Sequence, residues 1–267
     1  MKVFITGASS GIGEALVLEY AKRHRNNSTI IGIVARRSEY LQKLQATLQN
    51  TYNIQCAIYP LDVRDSHALA SAAADFIQNF GAPNVVIACA GVSCGTLTEH
   101  AEDIAAFKAV MDINVLGLVH TFQPFIAAMR TAAKQGENAQ LVGIASVAGI
   151  RGLPGAGAYS ASKAAAISYL ESLRVEMARD NIAVTTIAPG YIRTPMTAIN
   201  QYKMPFLMDA DVAASKFVDA IEHQYRFVVI PWQMGWVARF MRFIPPFLWD
   251  FAMKKAPQKM RMNWDWL

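Results

Sequence analysis

The chain has 267 residues, of which 53% are hydrophobic and 17% charged, with a net charge of +5. That balance fits a globular protein of one large or two small domains and excludes a disordered or fibrous chain. Three cysteines, Cys56, Cys89 and Cys94, have neither metal-ligand spacing nor the look of a disulfide framework, so no metal site and a reducing, cytoplasmic setting are expected.

Residues 2–5 form a short apolar run, followed by Thr6-Gly-Ala-Ser-Ser-Gly-Ile-Gly13. No apolar h-region with a cleavage site follows Met1, so a secretory signal is not expected, and no uncharged stretch reads as a membrane span. Residues 14–25 then show helical apolar spacing. Strand, glycine-rich turn and helix make the context in which Gly7, Gly11 and Gly13 allow a tight turn. Backbone N–H groups there approach a pyrophosphate at a helix N-terminus. A second strand over 29–35 ends in Arg36-Arg37-Ser38, with no acid before Glu39. An acid at that turn accepts from the 2′-hydroxyl of NAD, whereas arginine welcomes the 2′-phosphate of NADP. The turn therefore predicts NADP(H) ahead of NAD(H).

The alternation continues with a helix over 39–50, a strand over 54–60 ending near Asp62-Val63, and a helix over 66–80. A strand over 84–88 closes on Ala90-Gly91, and a helical stretch over 104–129 holds Asn114 and Pro124. A strand over 141–145 meets Ser146 before a helix over 157–180. A strand over 182–188 ends in Pro189-Gly-Tyr-Ile-Arg-Thr194, and a helix over 209–224 and a strand over 226–230 complete the pattern. Strands alternating with helices predict an α/β fold: a doubly wound parallel sheet in three αβα layers, with ligands at the carboxyl ends of the strands.

Tyr159 and Lys163 share one helix face, with about 6 Å of axial rise between them. A neighbouring ammonium favours phenolate and is expected to draw the tyrosine pKa down, making an acid/base pair. The ordered set Thr6-Gly-x3-Gly-x-Gly13, Asp62-Val63, Ala90-Gly91, Asn114, Ser146, Tyr159-x3-Lys163 and Pro189-Gly190 resembles the short-chain dehydrogenase/reductases over roughly residues 1–230. The resemblance implies a Rossmann-like fold, a nicotinamide cofactor and hydride transfer to or from a carbonyl or alcohol carbon. It implies Tyr159 as general acid/base, with Ser146 on the substrate oxygen. Lys163 would lower the tyrosine pKa and hold the ribose, and Asn114 would anchor a proton-relay water. Gly7, Ser9, Ser10, Gly11, Ile12, Gly13, Arg36, Arg37, Ala90, Gly91, Pro189 and Gly190 would bind the cofactor together with Tyr159 and Lys163. Asp62 and Val63 would line its adenine pocket, and Ile192 and Thr194 would hold its carboxamide. Ala88-Cys89-Ala90-Gly91 departs from the family's Asn-Asn-Ala-Gly, which predicts a local structural change rather than lost activity.

Tyr202, Met204, Phe206 and Leu207 fall where the family places a substrate lid and predict an apolar inner face, hence an apolar carbonyl or alcohol substrate. The five histidines form no cluster, and His120, among apolar residues, reads as a packed side chain. Residues 226–267 carry seven Lys/Arg against two Asp/Glu and all five tryptophans. Within 231–267, a helix over 232–243 is expected to set Trp236, Phe240 and Phe243 on one face with Arg239 and Arg242 opposite. Such a segment suits a membrane surface, a pocket lid or an oligomer interface. No nucleic-acid motif accompanies it. A homodimer or homotetramer is the family expectation. Two other readings stand beside the enzyme: a non-catalytic NADP(H) sensor or scaffold, and a membrane-surface lipid-handling protein.

Overall fold

A computed structural model describes residues 1–25, 28–254, 256 and 259–261. In chain order, β1 (Lys2–Thr6), α1 (Gly11–Arg23), β2 (Ile30–Ala35), α2 (Ser38–Tyr52), β3 (Gln55–Pro60), α3 (Ser66–Phe80) and β4 (Val85–Ala88) alternate as expected. A broken helical run follows: α4 (Asp103–Met111), a π turn (Asp112–Leu116), α5 (Gly117–Phe122), a short 3₁₀ turn (Gln123–Phe125) and α6 (Ile126–Lys134). Then come β5 (Gln140–Ile144), α7 (Gly157–Ala178), β6 (Ala183–Pro189), the two-residue β7 (Ile192–Arg193), α8 (Pro195–Ala198) and β8 (Met208–Asp209). The chain continues through α9 (Ala210–Glu222), β9 (Phe227–Ile230), α10 (Trp232–Phe243) and α11 (Pro246–Met253). Most boundaries fall within a residue or two of those expected; α1 starts three residues early, at Gly11, and the broken run reaches Lys134.

The main sheet has seven parallel strands in the order β3-β2-β1-β4-β5-β6-β9. Its central strands are near-continuous apolar runs because both faces are covered. Along β1, Val3 and Ile5 point into a core with Leu16, Val17, Tyr20, Leu41 and Phe217, beneath α1, α2 and α9. Phe4 points the other way, among Phe76, Phe122, Phe125 and Leu170 of the opposite helical layer. Its ring packs edge-on against Phe76 at 5.5 Å and tilted against Phe125 at 4.6 Å. Truncating any of these rings to alanine costs on the order of 3–5 kcal/mol. The strand order reverses between β1 and β4, and at that switch point the loops splay apart and leave a crevice.

The helical run Asp103–Lys134 is long and apolar enough to cross a membrane by length and composition, which the sequence reading did not anticipate. In the fold it is a core element: Phe122, Phe125 and Met129 are buried against the sheet. Pro124 lies in the 3₁₀ turn that breaks it.

The C-terminal helices differ from the amphipathic arrangement expected. Met234 and Ala238 form the buried stripe of α10, with Met234 against Gly190, while Trp232, Trp236, Phe240 and Phe243 face outward. With Phe247 and Phe251 of α11 they make a surface of six aromatics, each 64–83% exposed. Arg239 lies beside this face rather than opposite it, 5.5 Å over the Trp236 ring, as a cation–π contact favours. Arg151, from the loop after β5, donates to the carbonyls of Met241 and Ile244 at 2.9 and 2.8 Å and stacks on Trp249.

Candidate active site

The glycine loop leaves β1 at the switch point. Gly7 and Gly11 have φ of +75° and +60°, a region L side chains avoid. A Cβ on Gly7 would lie 2.7 Å from the Ala90 backbone, and one on Gly13 would run into the Gly7 carbonyl. The loop is thereby pressed between the turn after β4 and the start of α1. Ser10 at the N-cap makes no side-chain cap, so the first turn of α1 offers its backbone N–H groups to the crevice. Thr6 supplies what the missing asparagines would have tied down: its hydroxyl accepts from the backbone N–H of Cys89 at 3.3 Å and of Ala90 at 3.4 Å.

Arg36 and Arg37 stand at the end of β2, on the rim of the same crevice. Arg37 donates to Ser9 Oγ at 3.1 Å and stacks 4.0 Å over the Tyr40 ring, which aims it toward the glycine loop. Arg36 lies 3.9 Å from Asp62. Asp62 is held by a residue the sequence reading missed, Arg64, whose guanidinium forks onto both carboxylate oxygens at 2.9–3.1 Å. Burial disfavours the Asp62 charge, yet the hydrogen bonds from Arg64 keep its carboxyl below the usual range. An acid two residues before an arginine is too common a pair to signal this in advance. His120 Nδ1 is 3.0 Å from the Val63 carbonyl and must carry the proton there, so it is a packing histidine that buttresses the Asp62-Val63 turn.

The other end of the crevice is built on β5 and α7. Ser146 follows β5 in extended backbone (φ −171°), and its Oγ accepts from the Ala148 N–H at 3.1 Å. Gly149 lies so close to Lys163 that a Cβ would come within 2.7 Å of the Lys163 carbonyl, which fixes the Ser146 loop against α7. Lys163 is 6% exposed and donates from Nζ to the Ile144 carbonyl at 2.8 Å. Burial pulls its pKa down to about 8. Tyr159 sits one turn earlier, with Lys163 Nζ 5.8 Å from its ring centre. The expected downward pull of Lys163 on Tyr159 is not met: burial pushes the phenol up, and the opposing influence is a hydrogen bond with Ser146. Loss of solvent is the dominant influence on this phenol, and Lys163, brought down to about 8, carries no charge where the phenol titrates.

Asn114 is almost wholly buried in the π turn, a widened turn of the kind that recurs at functional sites. Its Oδ1 accepts from Val92 N–H at 2.8 Å, and its Nδ2 donates to the Val92 carbonyl and to Ser162 Oγ, both at 2.9 Å. The amide therefore clamps the Ala90-Gly91-Val92 turn to α7.

One crevice joins these groups. Every cofactor and catalytic candidate lines it except Asn114, which lies behind its wall. Leu61, Cys89, Val92, Ile113 and Thr197 also line it and were not anticipated, because generic side chains at loop positions carry no sequence signal. The expected lid is pinned at its base where β7 pairs with β8 and Arg193 meets Asp209 at 2.6 Å. Tyr191 and Tyr202 stack edge-on there, and Phe206 is 49% exposed. Cys94 is fully buried and Cys89 partly so, and burial pushes their thiols up to about 11 and 12, which makes both poor nucleophiles.

The family model for short chain dehydrogenases matches residues 1–204. An uncharacterized oxidoreductase of Myxococcus xanthus is 33% identical over 94% of this chain and 95% of its own length. A protein named 11-beta-hydroxysteroid dehydrogenase-like 3, of Arabidopsis thaliana, is 31% identical over 94% of this chain and 79% of its own. Among solved structures, L-sorbose reductase of Gluconobacter frateurii, complexed with NADPH and L-sorbose, superposes with a TM-score of 0.75. It is 21% identical and covers 86% of this chain and 94% of that one, a likeness of fold.

Proposed function

From the premise that this chain belongs to the short-chain dehydrogenase/reductase family, as an oxidoreductase acting on alcohol and carbonyl groups, we propose an NADP(H)-dependent enzyme for an apolar substrate. The observation that carries this reading is the single crevice uniting the glycine loop, the arginine turn and the Ser146–Tyr159–Lys163 set. The residues present fit a dinucleotide: close packing at Gly7 and Gly13 shapes the turn, Gly11 keeps a side chain out of the crevice opposite Thr194, and the start of α1 is uncapped for a pyrophosphate. Arg36 and Arg37, with Ser9, suit a 2′-phosphate, while Asp62 is engaged by Arg64. Ala90, Gly91, Pro189, Gly190, Ile192 and Thr194 line the remainder of the cradle.

The bound nicotinamide supplies or accepts the hydride. As negative charge builds on the substrate oxygen, Ser146 and Tyr159 donate hydrogen bonds to it, and Tyr159 yields its proton. A phenol pushed up by burial stays protonated near neutral pH, the form that reduction needs. Lys163 would hold the ribose hydroxyls and restore the Tyr159 proton. Asn114 positions the turn carrying Gly91. Tyr191, Tyr202 and Met204 supply apolar surface near the lid, and the steroid-dehydrogenase-like relative is in keeping with an apolar substrate.

Two assembly readings accompany this one. Ile104, Phe107, Leu116 and Val175, exposed on α4, the π turn and α7, favour a homodimer or homotetramer paired through those helices. The aromatic face of α10 and α11, rimmed by Arg239, Arg242 and Lys254, favours docking on an anionic membrane surface. No co-sedimentation with anionic liposomes, or co-sedimentation that survives Trp236→Ser with Phe240→Ser, would sink the reading that this face docks on a membrane.

Titration with NADPH and NADH, followed by fluorescence, tests the proposal. NADPH is expected to bind more tightly, with the preference lost in Arg37→Ala. Binding without turnover across a carbonyl panel, unaltered by Tyr159→Phe, would favour a sensor instead.

A further inference from the structure

The crevice has a neighbour that neither the family's motifs nor the proposed mechanism uses. Residues 259–261 lie as a strap across the loop after β4, more than 160 positions away in sequence. Gly95 N–H donates to the Met260 carbonyl at 3.1 Å, and a Cβ on Gly95 would run into the Lys259 carbonyl. Arg261 latches the strap to the start of α4, forking onto Asp103 at 2.9–3.2 Å and reaching Glu102 at 2.8 Å. Asp103 is 3% exposed and also accepts from the Leu97 N–H at 2.8 Å, so the latch is built into the fold rather than resting on its surface.

The strap delivers Lys259. Its Nζ donates to Ser93 Oγ at 2.7 Å and stands 6.0 Å from the centre of the Tyr159 ring. Ser93 lies two residues past Gly91, on the same turn that lines the nicotinamide end of the crevice. Burial pulls the Lys259 pKa down, and among the described residues no carboxylate lies within ion-pairing distance of it. An ammonium has three donors, and a serine that accepts one still has its own hydrogen to give. A desolvated cation without an acid is costly unless an anion completes it.

We propose that Lys259 and Ser93 form a specificity site for a carboxylate carried by the substrate, close to its reacting carbon. Two converging donors, one charged and one neutral, match the two oxygens of a monoanionic carboxylate. The substrate is then an apolar carbonyl compound or alcohol bearing a carboxylate at one end. This rests on the oxidoreductase reading for the reaction, but not for the binding event.

The test uses the full chain, with and without saturating NADPH, and benzoate and benzamide as matched probes in calorimetric titrations. Benzoate is expected to bind more tightly than benzamide. A charge-assisted pair of this kind predicts roughly 10–100-fold weaker benzoate binding in Lys259→Met, with benzamide unchanged and Lys259→Arg retaining most of the preference. Arg261→Ala, which leaves every crevice residue in place, is expected to erode the same preference by freeing the strap. Equal binding of the two probes to the wild type overturns the proposal. So does an equal loss of both in Lys259→Met, which a merely structural strap would produce. In turnover, the kcat/KM ratio of 4-formylbenzoate to its methyl ester should fall with the benzoate affinity. A failure to bind NADPH while benzoate discrimination persists would strike the oxidoreductase reading and leave the Lys259 site standing.

Discussion

Lys163 is the side chain whose removal should separate stability from function most clearly. An ordinary lysine holds its proton to 10.5, but burial brings Lys163 down to about 8 in the folded chain. Between those values the unfolded chain binds one more proton than the folded one, so this group makes stability rise with pH there. The slope is about 1.4 kcal/mol per pH unit, and the whole span is worth about 3 kcal/mol. Below pH 8 the ammonium is buried at that cost, offset in part by its hydrogen bond to the Ile144 carbonyl. Lys163→Met removes the titration and leaves that carbonyl without its donor, a constant penalty of about 1 kcal/mol at every pH. The cofactor-free variant should therefore be about 2 kcal/mol more stable than the wild type at pH 7. The advantage should shrink through zero as pH rises toward 10.5, while turnover is lost throughout. Urea unfolding of both proteins at a series of pH values gives the difference directly, and other titrating groups cancel in it. A difference that stays flat between pH 7 and 10.5 would refute the reasoning, because Lys163 would then titrate alike in both states.

Tyr159→Phe should lower kcat by roughly 10²–10⁴-fold while leaving NADPH affinity within a few-fold, measured by steady-state kinetics and fluorescence titration. Gly13→Ala should abolish cofactor binding, since the added Cβ meets the Gly7 carbonyl; a variant that binds NADPH normally would show that the loop can open. Arg37→Ala should weaken NADPH by about tenfold or more and leave NADH unchanged, because only the former carries the 2′-phosphate. Thr6→Val should destabilise the chain by about 1–3 kcal/mol in thermal unfolding, as the N–H groups of Cys89 and Ala90 lose their acceptor.

Much of the architecture was legible because it is written in local patterns. Apolar runs such as Val3-Phe4-Ile5 and Leu141-Val142 are strands buried on both faces, and the Gly7-x3-Gly11-x-Gly13 spacing has few uses other than a tight turn ahead of a helix. Tyr159 and Lys163 share a helix face by arithmetic alone. Three details were decided by burial or contact. The Tyr159 phenol is pushed up because burial strips it of solvent, opposed only by its hydrogen bond with Ser146. Asn114 was legible as important, but which groups its amide meets depends on a π turn that no spacing rule announces. Arg239 was placed opposite the aromatics, yet the register of α10 is set by Met234 fitting against Gly190 and turns the aromatic face outward.

The sequence by itself determined the order of the strands and helices, and it marked the glycine loop, the arginine turn and the Tyr159-x3-Lys163 pair as candidates, since each is a short-range pattern. The tertiary structure alone decided which of these share one crevice, that Arg64 holds Asp62, and that Lys259 stands beside Tyr159. The Lys259–Ser93 and Arg261–Asp103 contacts join residues 166 and 158 positions apart. Contacts of that range arise from packing two distant segments against one another beyond the carboxyl end of β4. Local propensity and periodicity, which carry information over a few turns of helix or one strand, cannot encode them.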